Sequence, residues 1–185
     1  QEGIAADITT AAKGLGAGYQ PIAALVAAQK VVDAIKNGSG KLWNGHTYMS
    51  HAIATAGALA VQQVIENDHL LDRVKALGAQ LEEQLGSAFG QHSLVGDIRG
   101  RGLFWTIELV ADRATKAPFP AVQELAMKIG AAAKARGILV YPSQGCADGT
   151  NGDHVLLAPS YTSTPQEIDL IVETLQAAVA DVLEA

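Results

Sequence analysis

Apolar positions recur at helical spacing in three stretches of the chain and cluster at strand-like lengths between them. The clearest stripe is Leu70, Leu71, Val74, Leu77, Leu81 and Leu85, which predicts a helix over about 68–86. A second helix over 121–136 presents Val122, Leu125, Ile129 and Ala133, and Gly137 closes it. A third opens on Thr164-Pro165-Gln166-Glu167, a capping box with proline at the first helical position, and carries Ile168, Ile171, Val172, Leu175, Val179 and Val182 on one side. The first third of the chain is patterned differently. Residues 4–12 read as a short buried strand, residues 20–28 as a second short apolar strand, and residues 29–36 as a helix with Val31, Val32 and Ile35 on one face, stopped by Asn37-Gly38-Ser39-Gly40. A polar and aromatic loop over 41–50 precedes a small-residue helix over 51–66, with Ser50 as its N-cap. Strands are expected at 103–110, 138–141 and 155–157, with loops at 112–120 and 142–153, and Arg99-Gly100-Arg101-Gly102 as a turn into the first of them. The organisation is α/β, with a boundary between two helices that gives domains 1–67 and 68–185.

Composition narrows the class. Apolar residues make up 49% of the 185 and charged residues 17%, which excludes intrinsic disorder. No apolar run reaches the roughly 18 residues that a membrane helix needs. The net charge of −6, with no concentrated basic patch, argues against nucleic acid as a partner. A single cysteine, Cys146, excludes a disulfide framework and a cysteine zinc site, and the expected location is the cytoplasm. Nineteen glycines with only 5% aromatics mean that each buried side chain covers little area, so a core of such residues needs many elements or a partner. The opening Gln-Glu-Gly-Ile-Ala reads like the middle of a longer chain, and a fragment is expected.

Three places offer chemistry. Lys13 stands between an apolar strand and the turn Gly14-Leu15-Gly16-Ala17-Gly18. A lysine held there is expected to be partly desolvated, which frees its amine for carbonyl chemistry, and the bare glycines let a flat ligand approach. A solvated lysine before a loop is the plain alternative. The glycine spacing matches neither the dinucleotide fingerprint nor the P-loop. The second place is Gly45-His46-Thr47-Tyr48, just before a helix N-terminus, where free amides, the helix dipole and the Thr47 hydroxyl suit an anion; simple capping is the alternative. His46 and His51 lack a third ligand for a metal, and none is expected. Cys146 lies in a loop with no base beside it in sequence, and reads as an incidental small residue.

These residues resemble a known family. Ala6 to Ala24, through Asp7-Ile8-Thr9-Thr10-Ala11-Ala12-Lys13-Gly14-Leu15-Gly16-Ala17-Gly18, is similar to the lysine motif of class III (omega-amino-acid type) aminotransferases, which are pyridoxal-phosphate enzymes of fold type I. His46-Thr47-Tyr48 through Ala60, Val95 through Leu103 and Gly152 through Pro159 resemble three further motifs, all in family order. The resemblance implies a partial fold-type-I large domain over 1–67, followed by a small α+β C-terminal domain over 68–185. It implies that Lys13 carries pyridoxal 5'-phosphate as a Schiff base and moves the proton, while Thr47, with the backbone beside His46, holds the cofactor phosphate of the neighbouring subunit. It therefore implies a homodimer with shared active sites, an amino donor and an oxo-acid acceptor such as pyruvate.

The resemblance also has gaps. Ala6, Ala52 and Ser160 stand where the family usually has proline, and Leu156 stands where some members place a carboxylate-binding arginine. The cofactor's aspartate partner, its stacking aromatic and a glycine-serine turn for its phosphate lie, in the family, N-terminal to the match, so the 185 residues alone are expected to be inactive. Two alternatives remain at this point: another fold-type-I reaction (aminomutase, racemase or decarboxylase), or a non-catalytic truncated paralogue.

Overall fold

The computed structural model describes residues 3–183, so the opening Gln1 and Glu2 and the last two residues of the second expected domain lie outside it. The chain divides into two compact units, Gln1–His69 and Leu70–Ala185.

In the first unit, β1 (Ile8–Ala11) pairs antiparallel with β2 (Ala24–Ala27), Ile8 facing Ala27 and Ala11 facing Ala24. The burial expected of the first strand is not met within this unit, Ile8 being 53% exposed, and the second strand leaves Leu25 and Val26 each 64% exposed, because a two-stranded ribbon covers neither of its own faces. A single 3-10 turn (Lys13–Leu15) follows β1. Helix α1 (Gln29–Asn37) half-buries Val31, Val32 and Ile35 as expected, and α2 (Ala52–Asn67) buries Ala54 and Ala58. The N-cap of α2 is His51 rather than Ser50: its Nδ1 accepts the Ala54 amide at 3.3 Å, while Ser50 sits at φ 58° in the left-handed region.

The second unit is a four-stranded antiparallel sheet in the order β3-β4-β6-β5, with α3 (Leu70–Phe89) and α4 (Leu125–Ala135) packed on it and α5 (Pro165–Leu183) packed against both of these helices. Strand β4 (Phe104–Leu109) alternates cleanly: Trp105, Ile107 and Leu109 join the core, and Phe104, Thr106 and Glu108 face away. The stripe of α3 buries Leu70, Leu77, Leu81 and Leu85, and half-buries Val74. Leu71 falls off the stripe at 59% exposed. Each fully buried Leu or Ile contributes roughly 1.5–3 kcal/mol. The capping box of α5 forms as read, Glu167 Oε2 accepting the Thr164 amide at 2.7 Å and Thr164 Oγ1 accepting the Glu167 amide at 3.2 Å. Among the described residues no helix is long and apolar enough to cross a membrane.

Three departures from the reading have a visible cause: a close approach, a contact distant in sequence, and the C-terminal closure of α4. Val95–Arg101 is a strand, β3, not a turn; it joins β4 through Gly102 and Leu103, with Gly102 at φ 57°. Its glycines hide it: a Cβ on Gly96 would meet Val110 Cγ1 at 2.5 Å, and one on Gly100 would meet the Phe104 carbonyl at 2.3 Å. Helix α4 begins at Leu125, after a 3-10 turn (Ala121–Gln123), and leaves Val122 87% exposed. Buried Asp153 of β6 (Asp153–Leu157) accepts the Ala126 amide at 2.9 Å and so caps α4 from 27 residues away. At the other end of α4, Gly137 donates to Lys134 and Ile138 to Ala133, which is a Schellman closure. That engages the Ile138 amide, so strand β5 runs over Tyr141–Gln144 instead of 138–141.

Candidate functional site

Lys13 opens the 3-10 turn immediately after β1, at φ 51°. A non-glycine residue in the left-handed region costs about 1–2 kcal/mol, and Ala17, at φ 46°, adds a second such cost in the same turn. The turn is held by successive three-residue hydrogen bonds: the carbonyls of Ala12, Lys13, Gly14 and Gly16 accept from Leu15, Gly16, Ala17 and Tyr19 at 3.1, 3.2, 3.3 and 2.9 Å. Gly16 is buried, and a Cβ there would stand 2.9 Å from both the Gln20 carbonyl and Ile22 Cγ2. Gly14 and Gly18 are the opposite case: a Cβ on either meets nothing within 4 Å. The glycines therefore do two jobs, one letting the turn fold tightly and two leaving open space at their own positions in it. The lysine itself is exposed, so the desolvation expected for it is not supplied by the described residues.

His46 and Thr47 lie in the loop before α2, both exposed. The His46 carbonyl accepts the Met49 amide at 2.9 Å and the Tyr48 carbonyl accepts the His51 amide at 3.2 Å, which turns the loop into the helix. Because His51 Nδ1 already caps α2, it is not offered to a metal. Among the described residues, no hydrogen bond or ion pair joins Lys13 to His46 or Thr47.

Two residues absent from the sequence reading touch the lysine turn. Gln62 Nε2 donates to the Leu15 carbonyl at 3.2 Å, and Gly57 lies so close to Gln20 that a Cβ would stand 2.8 Å from its Cγ. A signal for Gln62 exists in the sequence: it follows Ala54 and Ala58 at four-residue steps, so a polar residue succeeds two small ones along one row of α2.

The other candidates have structural roles. The Arg99 guanidinium sits between Asp97, at 2.9 Å, and Glu108; these hydrogen bonds hold its pKa above the ordinary value. Partial desolvation, and then the Glu108 carboxylate, push the Cys146 thiol up, against a role as a nucleophile. Leu156 is half-buried on β6, opposite Thr106 and Tyr141.

With that geometry in hand, the comparisons identify the family. The aminotransferase class-III family model matches residues 1–179. An uncharacterized aminotransferase of Schizosaccharomyces pombe is 44% identical over 188 residues, covering all of this chain and 40% of the relative. An uncharacterized aminotransferase of Bacillus subtilis is 39% identical over 176 residues, covering 95% of this chain and 40% of its own length. Among solved structures, an amine transaminase from an uncultivated Pseudomonas species, in its PLP-bound form, superposes with a TM-score of 0.88 at 36% identity, covering 97% of this chain and 39% of that one. A transaminase obtained by ancestral reconstruction gives a TM-score of 0.91 at 33% identity, with 98% and 39% coverage. The chain belongs to the class III aminotransferase family and has its mixed α/β fold. It spans about 40% of the length of these curated relatives.

Proposed function

We propose that this chain supplies the reacting lysine and the small C-terminal domain of a pyridoxal-phosphate-dependent transaminase, which moves an amino group from an amine or omega-amino acid to an oxo acid such as pyruvate. The observation that carries the reading is the turn at Lys13: a primary amine on a strained, exposed turn, flanked by the open space at Gly14 and Gly18. The residues present suit the cofactor. Lys13 provides the one kind of side chain that condenses with an aldehyde, and the Thr47 hydroxyl and the amides beside His46 are donors of the type a phosphate needs.

The first unit, in this reading, is the C-terminal remainder of the cofactor-binding large domain. Lys13 Nζ would hold the cofactor, take a proton from the substrate carbon and return it to the cofactor side. Thr47 Oγ1 and the His46 backbone would hold the phosphate of the partner subunit's cofactor, in a cytoplasmic homodimer. When bound, pyridoxal phosphate supplies the electron sink that lets that proton leave. Leu156 offers no charge to a substrate carboxylate, which favours donors that do not need one there.

The test compares the full-length protein that carries this chain with its Lys13→Ala variant and with the isolated 185 residues, each given pyridoxal phosphate, an amine and pyruvate. The expected result is alanine formation by the full-length protein, a loss of at least about a thousandfold in Lys13→Ala, and no turnover by the isolated chain. Full activity in Lys13→Ala, or product formation that does not depend on pyruvate, would sink the reading.

A further inference from the structure

We propose that Gln62 of α2 is a positioning residue for Lys13, resting on the role just given to that lysine. The turn at Lys13 is strained at two non-glycine positions, so it needs an outside hold to keep one conformation. Its own hydrogen bonds leave one gap. The carbonyls of Ala12, Lys13, Gly14 and Gly16 each accept a backbone amide three residues on, whereas the Leu15 carbonyl, among the described residues, accepts from Gln62 Nε2 instead. Gln62 thus completes the series from a different element.

A second contact sets the same turn on the same helix. Gly57 approaches Gln20, where a Cβ would stand 2.8 Å from Cγ, so α2 meets the turn at Leu15 and again at its exit. The helix that carries the turn is also the one entered through His46 and Thr47. Ten residues separate Ala52 from Gln62, about 15 Å along the axis at the usual helical rise. One rigid helix would then fix both the lysine serving one cofactor and the loop serving the other. The side chain must be a donor for this purpose: a neutral amide delivers an N–H to a carbonyl without placing a charge near the reacting amine, and neither a carboxylate nor a thioether can do so.

Three variants of the full-length protein test the assignment. Gln62→Met and Gln62→Glu keep the length of the side chain and remove the donor, and Gln63→Met changes the adjacent residue as a control. Gln62 is exposed, so all three retain α2. Hydrogen exchange without added cofactor should run about fivefold faster over residues 12–19 in both Gln62 variants and at the parent rate in Gln63→Met, with 52–67 unchanged throughout. Loaded with cofactor, the Gln62 variants should lose about fivefold in kcat, with KM for the amine within about twofold. Exchange over 12–19 equal to that of the control would overturn the proposal, and so would faster exchange with an unchanged kcat. If Lys13→Ala keeps full activity, the transaminase reading fails separately, since the exchange result does not depend on turnover.

Discussion

Leu81, Leu85, Ile107, Leu109, Ile129 and Leu175 are all 0% exposed in the unit Leu70–Ala185, whereas among the described residues of Gln1–His69 the buried apolar side chains are Ala54 and Ala58. The first unit instead shows Trp43 at 83%, Tyr48 at 81% and Ile53 at 66% exposed. The contrast separates stability from chemistry. The second unit closes a core of leucine, isoleucine and valine around a twisted sheet, which is how a unit of this size reaches a stable fold. The first unit holds the candidate lysine on a ribbon and two helices that enclose little. That fits a lysine whose desolvation is not supplied within the unit.

Substitutions in the two units should respond accordingly. Leu81→Ala removes a fully enclosed side chain from α3 and should cost about 3–5 kcal/mol in the 185-residue chain, read by urea unfolding of the second unit. Leu25→Ala, at a side chain 64% exposed, should change stability by less than about 0.5 kcal/mol in the same chain. Equal losses would erase the contrast.

A smaller effect sharpens the account of the second unit. Asp153 is fully buried; its Oδ1 accepts from the Ala126 amide and from Gln144 Nε2, at 2.9 and 3.2 Å, while Oδ2 has no partner among the described residues. Asp153→Ala should cost about 2 kcal/mol by stranding those donors, and Asp153→Asn, which keeps an acceptor oxygen, less than half of that. Thermal unfolding of the three proteins gives the order, and an alanine variant as stable as the parent would remove Asp153 as the cap of α4.

The same contrast explains what the sequence made legible. Helices whose apolar rows face a core within the chain, α3 and α5, were readable from periodicity and from the box at Thr164 and Glu167. Strand β3 was not, since Gly96 and Gly100 erase the strand pattern and their purpose, close packing against Val110 and Phe104, lies across the sheet. The start of α4 was hidden for a similar reason: its cap is Asp153, distant in sequence, while the apolar Val122 continues the helical pattern beyond the helix. In the first unit the burial of β1 is not legible, because a run of small apolar residues does not reveal whether anything covers it. The contact of Gln62 is hidden from the sequence because its partner is a backbone carbonyl 47 residues earlier.

The central claim is that the amine of Lys13 is the one that engages the cofactor. Borohydride reduction of the cofactor-loaded, full-length protein, followed by peptide mapping, tests it most directly. The account predicts a stable pyridoxyl mass on the peptide containing Lys13 and none on the other lysines; that mass on a different lysine, with Lys13 unmodified, would contradict it.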